Sequence, residues 1–364
     1  MLLSTALTDL LAVEHPVMLA GMGGVSLPAL VAAVSEAGGF GTLGTGLLAT
    51  TLEADMAAVR SLTTKPFGVD MLLPSGDDEE LDDVVDLIIA GGASVFVAAV
   101  GVPSRAVVDR LHVGGVLVSV DSPNIARALS FLPPSFLLSL THIAFSPPPQ
   151  VGNMVASVAH ARKALTRGVD FIICQGSEAG GHTGTVALFP LLPQVVDLVA
   201  GRVPVVAAGG IYDGRGLAAA LALGADGVWC GTRFVMTVEA NCVRGYKERC
   251  LVANSEATTV SRAYTGKTCR VLRNAWTREW STPEMQAKIK KMPLQTMVAV
   301  QANAFHLSLG EEYVGELDLD REFMPIGQVV GAIDSILSAG DVVKEMVTLA
   351  ASTLDGLARF RSKL

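Results

Sequence analysis

Short apolar runs alternate with segments of helical periodicity from the N-terminus to about residue 235. The runs predict strands at 17–20, 40–43, 67–72, 94–98, 111–118, 169–174, 203–208 and 227–230. The segments between them predict helices over 26–37, 51–62, 77–90, 157–165 and 214–223, and another after Ser104. Strands that are apolar on both faces are typical of parallel sheets covered by helices. About eight such units with glycine-rich turns favour an α/β fold of the (β/α)8 TIM-barrel type over an open Rossmann sheet.

The strand and helix pattern also predicts how the chain is divided. Residues 1–239 are expected to form the barrel. Residues 240–310 lose the alternation and carry mixed polar helix signals, so we expect an additional, mainly helical lobe near the active site. Residues 311–364 return to a helical pattern and are expected to complete one side of the barrel.

The stretch 117–150 does not fit this pattern. It is rich in Ser, Pro and bulky apolar residues and has neither a helical nor a strand period. A strand-to-helix passage resumes after it at 152–154. A structureless segment of this length is uncommon inside a compact barrel. Two interpretations stay open: a loop at the surface, and an insertion foreign to the fold, such as a translated intron.

Composition and charge narrow the class of protein. The 364 residues are 50% hydrophobic and 17% charged, and the net charge of −8 without a Lys/Arg cluster argues against a nucleic-acid partner. No stretch predicts a membrane span, and Asp9 and Glu14 come too early for a signal peptide. The five scattered cysteines form no CxxC pair and no metal-binding spacing, which fits a reducing compartment. We therefore expect a cytoplasmic enzyme without a metal site.

The segment 174–184, Cys-Gln-Gly-Ser-Glu-Ala-Gly-Gly-His-Thr-Gly, follows a predicted buried strand. Its glycines let backbone N–H groups approach a ligand closely. His182 can exchange a proton near neutral pH, which makes it the candidate general base. Glu178 in the same segment is either a general acid or a residue that orients the loop, and both interpretations stay open.

Two later strand ends carry turns that suit an anion. Gly209 and Gly210 follow one strand, and Gly231 and Thr232 follow the next. Backbone N–H groups and helix N-termini can surround a phosphate, and TIM barrels commonly bind phosphate in their late units. Cys230 adjoins this predicted phosphate site, although its apolar strand also suits an inert core residue.

The segment 175–184 resembles a motif of the nitronate monooxygenase family, formerly called 2-nitropropane dioxygenases. Further similar segments lie at 16–26, 37–41, 204–211, 223–234, 270–274 and 327–328. Together they extend the resemblance over the chain except for 117–150. The resemblance implies an FMN enzyme on a TIM barrel, with the phosphate of FMN bound at the two late strand ends.

The resemblance also implies which residues contact the flavin ring. Ala20, Gly21 and Met22 match the loop that covers the ring, and Gln175 and Gly180 match flavin-contacting positions of the motif. A further flavin position, usually Asn in the family, is Asp70 here. An ionised carboxylate could accept a hydrogen bond from flavin N3–H, but it would disfavour an anionic reduced flavin.

The activity implied is the oxidation of alkyl nitronates, and of nitroalkanes after proton removal, by O2 to carbonyl compounds and nitrite. His182 would abstract the proton, because the family uses the matching histidine as its base and a neutral imidazole suits that role near neutral pH. The remaining histidines are expected to be structural: His15, His112, His142, His160 and His306. The expected partners are a small nitronate or nitroalkane and O2. A homodimer is compatible with the sequence, which does not fix the oligomeric state.

Two alternatives remain. The first is an NAD(P)H-dependent FMN reductase acting on a quinone or an enoyl thioester. The chain lacks the GxGxxG fingerprint of a Rossmann nucleotide site, but that absence excludes little, because flavin barrels can bind nicotinamide without it. The second is a non-catalytic flavin-binding scaffold.

Overall fold

A computed structural model describes residues 3–45, 51–73, 79–114, 148–306, 309–310, 313 and 315–361. The strands are β1 (Val17–Leu19), β2 (Gly41–Gly44), β3 (Phe67–Leu72), β4 (Val95–Ala99), β5 (Gln150–Val155), β6 (Phe171–Gln175), β7 (Gly181–His182), β8 (Val205–Ala208), β9 (Gly227–Cys230), β10 (Thr258–Ser261) and β11 (Cys269–Leu272). The helices are α1 (Ala6–Leu11), α2 (Pro28–Glu36), α3 (Leu52–Leu62), α4 (Glu79–Ala90), α5 (Arg105–Gly114), α6 (Val158–Arg167), α7 (Leu188–Val199), α8 (Gly214–Ala222), α9 (Thr232–Val235), α10 (Arg244–Leu251), α11 (Ala275–Glu279), α12 (Pro283–Gln286), α13 (Leu294–Gln301) and α14 (Ala339–Arg361). Short 3-10 helices cover Ser255–Ala257 and Gln328–Ala332.

Eight parallel strands form the central barrel. Their order is β1-β9-β8-β6-β5-β4-β3-β2. A parallel bridge between Met18 and Phe40 joins β1 to the residue before β2 and closes the ring. Across this seam, Leu19 N–H donates to the Phe40 carbonyl and Phe40 N–H donates to the Val17 carbonyl, both at 2.9 Å. The predicted TIM barrel is therefore confirmed.

Side chains along each strand alternate between the barrel interior and the surrounding helices. Val97, Ile173 and Val206 point inward and join one apolar cluster, whereas the residues between them pack beneath the helices. Leu7 and Leu11 of α1 belong to the same interior cluster and plug the barrel where β9 begins. The carboxyl ends of the strands stay open for a ligand, as is usual in this fold.

The fifth barrel strand differs from the prediction. The sequence pattern assigned it to 111–118, but Leu111 lies in α5, and 115–118 falls outside the described residues. Leu111 is buried on the same helix face as Val107 and Val108, so its apolar character reflects helical rather than strand periodicity. The fifth strand is β5, which pairs with β4 through Val95 and Gln150. Of the anomalous stretch 117–150, only its last three residues are described.

The region 240–310 contains strands as well as helices. β10 and β11 pair antiparallel, and β11 pairs with β7 from the barrel side. An aromatic cluster fills this lobe: Tyr264, Trp276, Trp280, Phe305 and Phe323. From the C-terminal region, α14 packs against α8 on the outside of the barrel.

The barrel interior predicts one large effect on stability. Phe171 is fully buried, and its ring occupies the space where a side chain on Gly152 would lie. We expect Phe171→Ala to lower the free energy of unfolding by about 3–5 kcal/mol, because it leaves a cavity in a packed core. Phe189, which is 70% exposed, provides the control. Chemical denaturation should show little change for Phe189→Ala, and similar midpoints for both variants would contradict this account.

Candidate active site

A cavity of about 720 Å³ opens at the carboxyl ends of the barrel strands. Ala208, Trp229 and Met154, which face the barrel interior, contribute to its wall. All twelve sequence-predicted site residues line this cavity: Ala20, Gly21, Met22, Asp70, Gln175, Gly180, His182, Gly209, Gly210, Cys230, Gly231 and Thr232. Residues up to 212 positions apart in sequence thus meet at one end of the barrel.

The loop after β6 is held by several hydrogen bonds. Arg270 donates to the Ser177 carbonyl through Nε at 3.0 Å and Nη2 at 2.9 Å. Both oxygens of the Glu178 carboxyl accept from the backbone N–H of Leu188 at the start of α7. The Glu178 carbonyl accepts from Gln328 N–H at 2.9 Å. Of the two interpretations left open for Glu178, this geometry favours orientation of the loop.

The loop ends in the two-residue strand β7. Gly181 pairs with Arg270 and His182 pairs with Cys269 of β11. The pairing fixes the backbone of His182, so its ring lies at the junction of barrel and lobe. The sequence showed the histidine but not its partner strand, because a two-residue strand has no recognisable period.

His182 is a partly buried neutral base. Its Nε2 lies 2.9 Å from the hydroxyl of Thr265. Burial, and to a smaller extent the positive charge of Lys267, lowers the pKa of His182 to about 4. Because the shift is downward, the imidazole is uncharged above about pH 4 and can accept a proton at neutral pH.

Asp70 faces the barrel interior at the end of β3 and is 6% exposed. Burial raises the pKa of its carboxyl well above the usual range, and the Met71 N–H opposes this only in part. Its Oδ1 has no hydrogen-bond partner among the described residues. A Cβ on Gly21 would collide with the Asp70 side chain, so the first loop can approach the carboxyl only because residue 21 is a glycine.

The predicted phosphate end combines two turns. Gly209 and Gly210 have φ values of +90° and +74°, which L-residues with side chains rarely adopt. Gly231 is the N-cap of α9, and the Thr232 hydroxyl accepts from Gly327 N–H at 2.9 Å. The backbone at both turns borders the cavity and suits an anionic group.

Several cavity residues were not found from the sequence. Phe305 and Phe323 stack with ring centroids 4.6 Å apart. His306, expected to be structural, also lines the cavity, and its Nδ1 lies 2.8 Å from Glu322 Oε2. Thr265 also lines the cavity. These residues lie in the lobe, whose contacts with the barrel have no local sequence signal.

The cysteines are buried thiols in this structure. Burial raises the pKa of Cys174 and of Cys230 to about 12, so neither is a thiolate at neutral pH. Within the described ranges, no three His, Cys, Asp or Glu side chains are grouped so that they could hold a metal ion. In the same ranges, no helix has the length and apolar character needed to cross a membrane.

Comparison with known proteins adds to this geometry. The sequence profile of the nitronate monooxygenase family matches residues 4–348. A dehydrogenase of an octahydroindene carboxyl-CoA from Rhodococcus jostii is 34% identical over 389 residues, covering 99% of each chain.

Two solved structures are similar throughout the fold. FabK from Thermotoga maritima superposes with a TM-score of 0.76 and 32% identity, covering 98% of this chain and 99% of that one. A nitroalkane oxidase from Streptomyces ansochromogenes superposes with a TM-score of 0.72 and 28% identity, covering 97% of this chain and 100% of that one. The chain therefore belongs to the nitronate monooxygenase family and is an oxidoreductase of a flavin-enzyme type.

Proposed function

We propose that this protein is an FMN-dependent enzyme that oxidises alkyl nitronates, and nitroalkanes after deprotonation, with O2 to carbonyl compounds and nitrite. The observation that carries the proposal is the position of His182: its uncharged imidazole lies on the wall of a cavity whose other predicted residues suit a flavin. Membership of the nitronate monooxygenase family and the similarity to a nitroalkane oxidase support it.

The residues at the cavity fit FMN in two respects. Oδ1 of Asp70 is a buried polar atom without a hydrogen-bond partner in the described ranges. The glycine turns at 209–210 and 231 offer backbone groups to a phosphate. Ala20, Gly21, Met22, Asp70, Gln175 and Gly180 would hold the ring, and Gly209, Gly210, Cys230, Gly231 and Thr232 would hold the phosphate end. When bound, the flavin supplies the electron acceptor and the reaction with O2.

In this mechanism His182 takes the α-proton of a neutral nitroalkane. The Thr265 hydroxyl lies 3.3 Å from the Lys267 carbonyl and can donate to it. In that arrangement Thr265 accepts from His182 Nε2–H, and the lone pair that takes the proton is on Nδ1. Lys267 disfavours the imidazolium, so the proton is held weakly and can leave again.

The lobe limits the access of water to the base. Phe305 and Phe323 line the cavity from the lobe, and Trp229 and Met154 line it from the barrel. Apolar walls on both sides strengthen the electrostatic interactions inside and suit the carbon chain of a nitronate.

The role of His182 predicts a difference between two substrates. His182→Asn should lower the rate with neutral nitroethane by roughly 10²–10⁴-fold, the usual contribution of a general base. Activity with preformed ethyl nitronate should be largely retained, because that substrate has already lost its proton. His160, exposed on α6, gives the control variant His160→Asn. Equal losses on both substrates in a nitrite assay would show that His182 is not the base.

The pKa of His182 can be measured directly. NMR titration of labelled histidine should place this pKa near 4. Lys267→Gln should raise the pKa of His182 only part of the way back toward the usual histidine value, because burial, the larger cause of the downward shift, remains. Lys163, exposed on α6, supplies the control Lys163→Gln, which should leave the titration unchanged. A midpoint near 6.5 in the unmodified protein would contradict the buried, neutral base.

A second candidate function is the NAD(P)H-dependent, FMN-mediated reduction of an enoyl thioester or a quinone. The similarity over 99% of the chain to a dehydrogenase of a CoA ester favours it. Anaerobic stopped-flow mixing separates the candidates. Rapid flavin reduction by NADH, with none by a nitronate, would replace the first proposal with the second. A purified protein that is colourless and takes up no FMN would favour a non-catalytic scaffold.

A further inference from the structure

Asp70 carries a carboxyl group into the mouth of the barrel. Val69 points toward the helix layer, so the alternation of β3 turns Asp70 inward. The side chain is only 6% exposed, yet it borders the cavity. Its Oδ1 is buried and has no hydrogen-bond partner in the described part of the chain.

The neighbours of Asp70 do not balance a negative charge. Across the sheet it pairs with Gly44 of β2 and Val97 of β4, and Gly21 packs against it from the first loop. The other titratable groups at the cavity are Asp55, Glu178, His182, Cys230, Tyr246, Cys269 and His306. None of them contributes to the raised pKa of Asp70, which is caused by burial. Among the described residues, the ionised form of Asp70 thus meets one backbone N–H and no cation.

The pyrimidine half of a flavin ring presents carbonyl acceptors beside an N–H donor. An ionised carboxylate can only accept, whereas a neutral carboxylic acid donates through its hydroxyl and accepts through its carbonyl. We propose that Asp70 meets the flavin as a neutral carboxylic acid, which donates one hydrogen bond to a ring acceptor and accepts one from the ring N–H. This inference rests on the proposed function, because it requires a flavin in the cavity.

The proposal has a consequence for the redox chemistry. Reduction increases the negative charge on the flavin ring. A carboxylate in contact with the ring would oppose that change, and a hydrogen-bond donor would favour it. As a neutral acid, Asp70 recognises the cofactor without lowering its midpoint potential. The Asp70 side chain therefore serves as a hydrogen-bond donor to the flavin, although aspartate usually carries a negative charge.

Infrared spectroscopy of the FMN-loaded protein tests the protonation state. At pH 7 the spectrum should contain the C=O stretch of a protonated carboxyl that shifts in ²H2O. The band should shift again when aspartate is labelled with ¹³C at its carboxyl carbon, an assignment that needs no variant. It should be absent from Asp70→Asn and present in Asp55→Asn, which removes a more accessible carboxyl at the same cavity. A spectrum without this band would overturn the proposal.

Potentiometry and FMN titration test the role of the donor. Asp70→Asn keeps a donor and an acceptor, so its midpoint potential should lie within about 30 mV of the wild-type value, a tenfold change for a two-electron couple. Asp70→Leu removes the hydrogen-bond donor and the acceptor, and we expect this variant to bind FMN roughly tenfold more weakly. A rise of more than about 30 mV in Asp70→Asn would show that the native group is ionised, and would overturn the inference while leaving the proposed function intact. Wild-type protein that binds no FMN would instead overturn both.

Discussion

The short pairing between β7 and β11 is the constraint on which the active site depends. It joins a loop of the barrel to a strand of the lobe through only two residues, Gly181 and His182. A pairing this short is weak by itself, because isolated strand pairs are marginally stable in water. Arg270, which pairs with Gly181, also donates two N–H groups from its side chain to the Ser177 carbonyl and so adds rigidity that the short pairing lacks. Together, the pairing and these hydrogen bonds make the position of His182, the candidate base, depend on both the barrel and the lobe.

How much of the fold and the site could be predicted from the sequence depends on how far apart in the chain the interacting residues lie. The strand before residue 175 and the glycines after it are local signals, and they placed Gln175 and His182 at the end of a barrel strand. Thr265 and Lys267 lie more than eighty positions further along the chain, in the lobe, and reach His182 only in the folded structure. No local pattern could reveal that they set the chemistry of His182.

The misplaced fifth strand has a similar physical origin. A short run of apolar residues near 111 fits a buried strand and the buried face of a helix equally well. Whether the run forms a strand or a helix depends on how its residues pack against the barrel. Val107, Val108 and Leu111 form the buried face of one helix, α5. The true fifth strand, β5, begins at Gln150, the last residue of the stretch that the sequence marked as anomalous.

Burial acts in opposite directions on the two titratable groups that matter most. It lowers the pKa of His182 and raises that of Asp70, because removal from water disfavours whichever form carries the charge. Both shifts favour the uncharged form: His182 is neutral at neutral pH, and the carboxyl of Asp70 is biased toward its protonated form. A single cause thereby gives the cavity an uncharged proton acceptor and, in the form proposed for Asp70, an uncharged hydrogen-bond donor. In the proposed function these two groups would meet the flavin and the carbon acid in uncharged form, and the positive charge of Lys267 would keep His182 from holding its proton tightly.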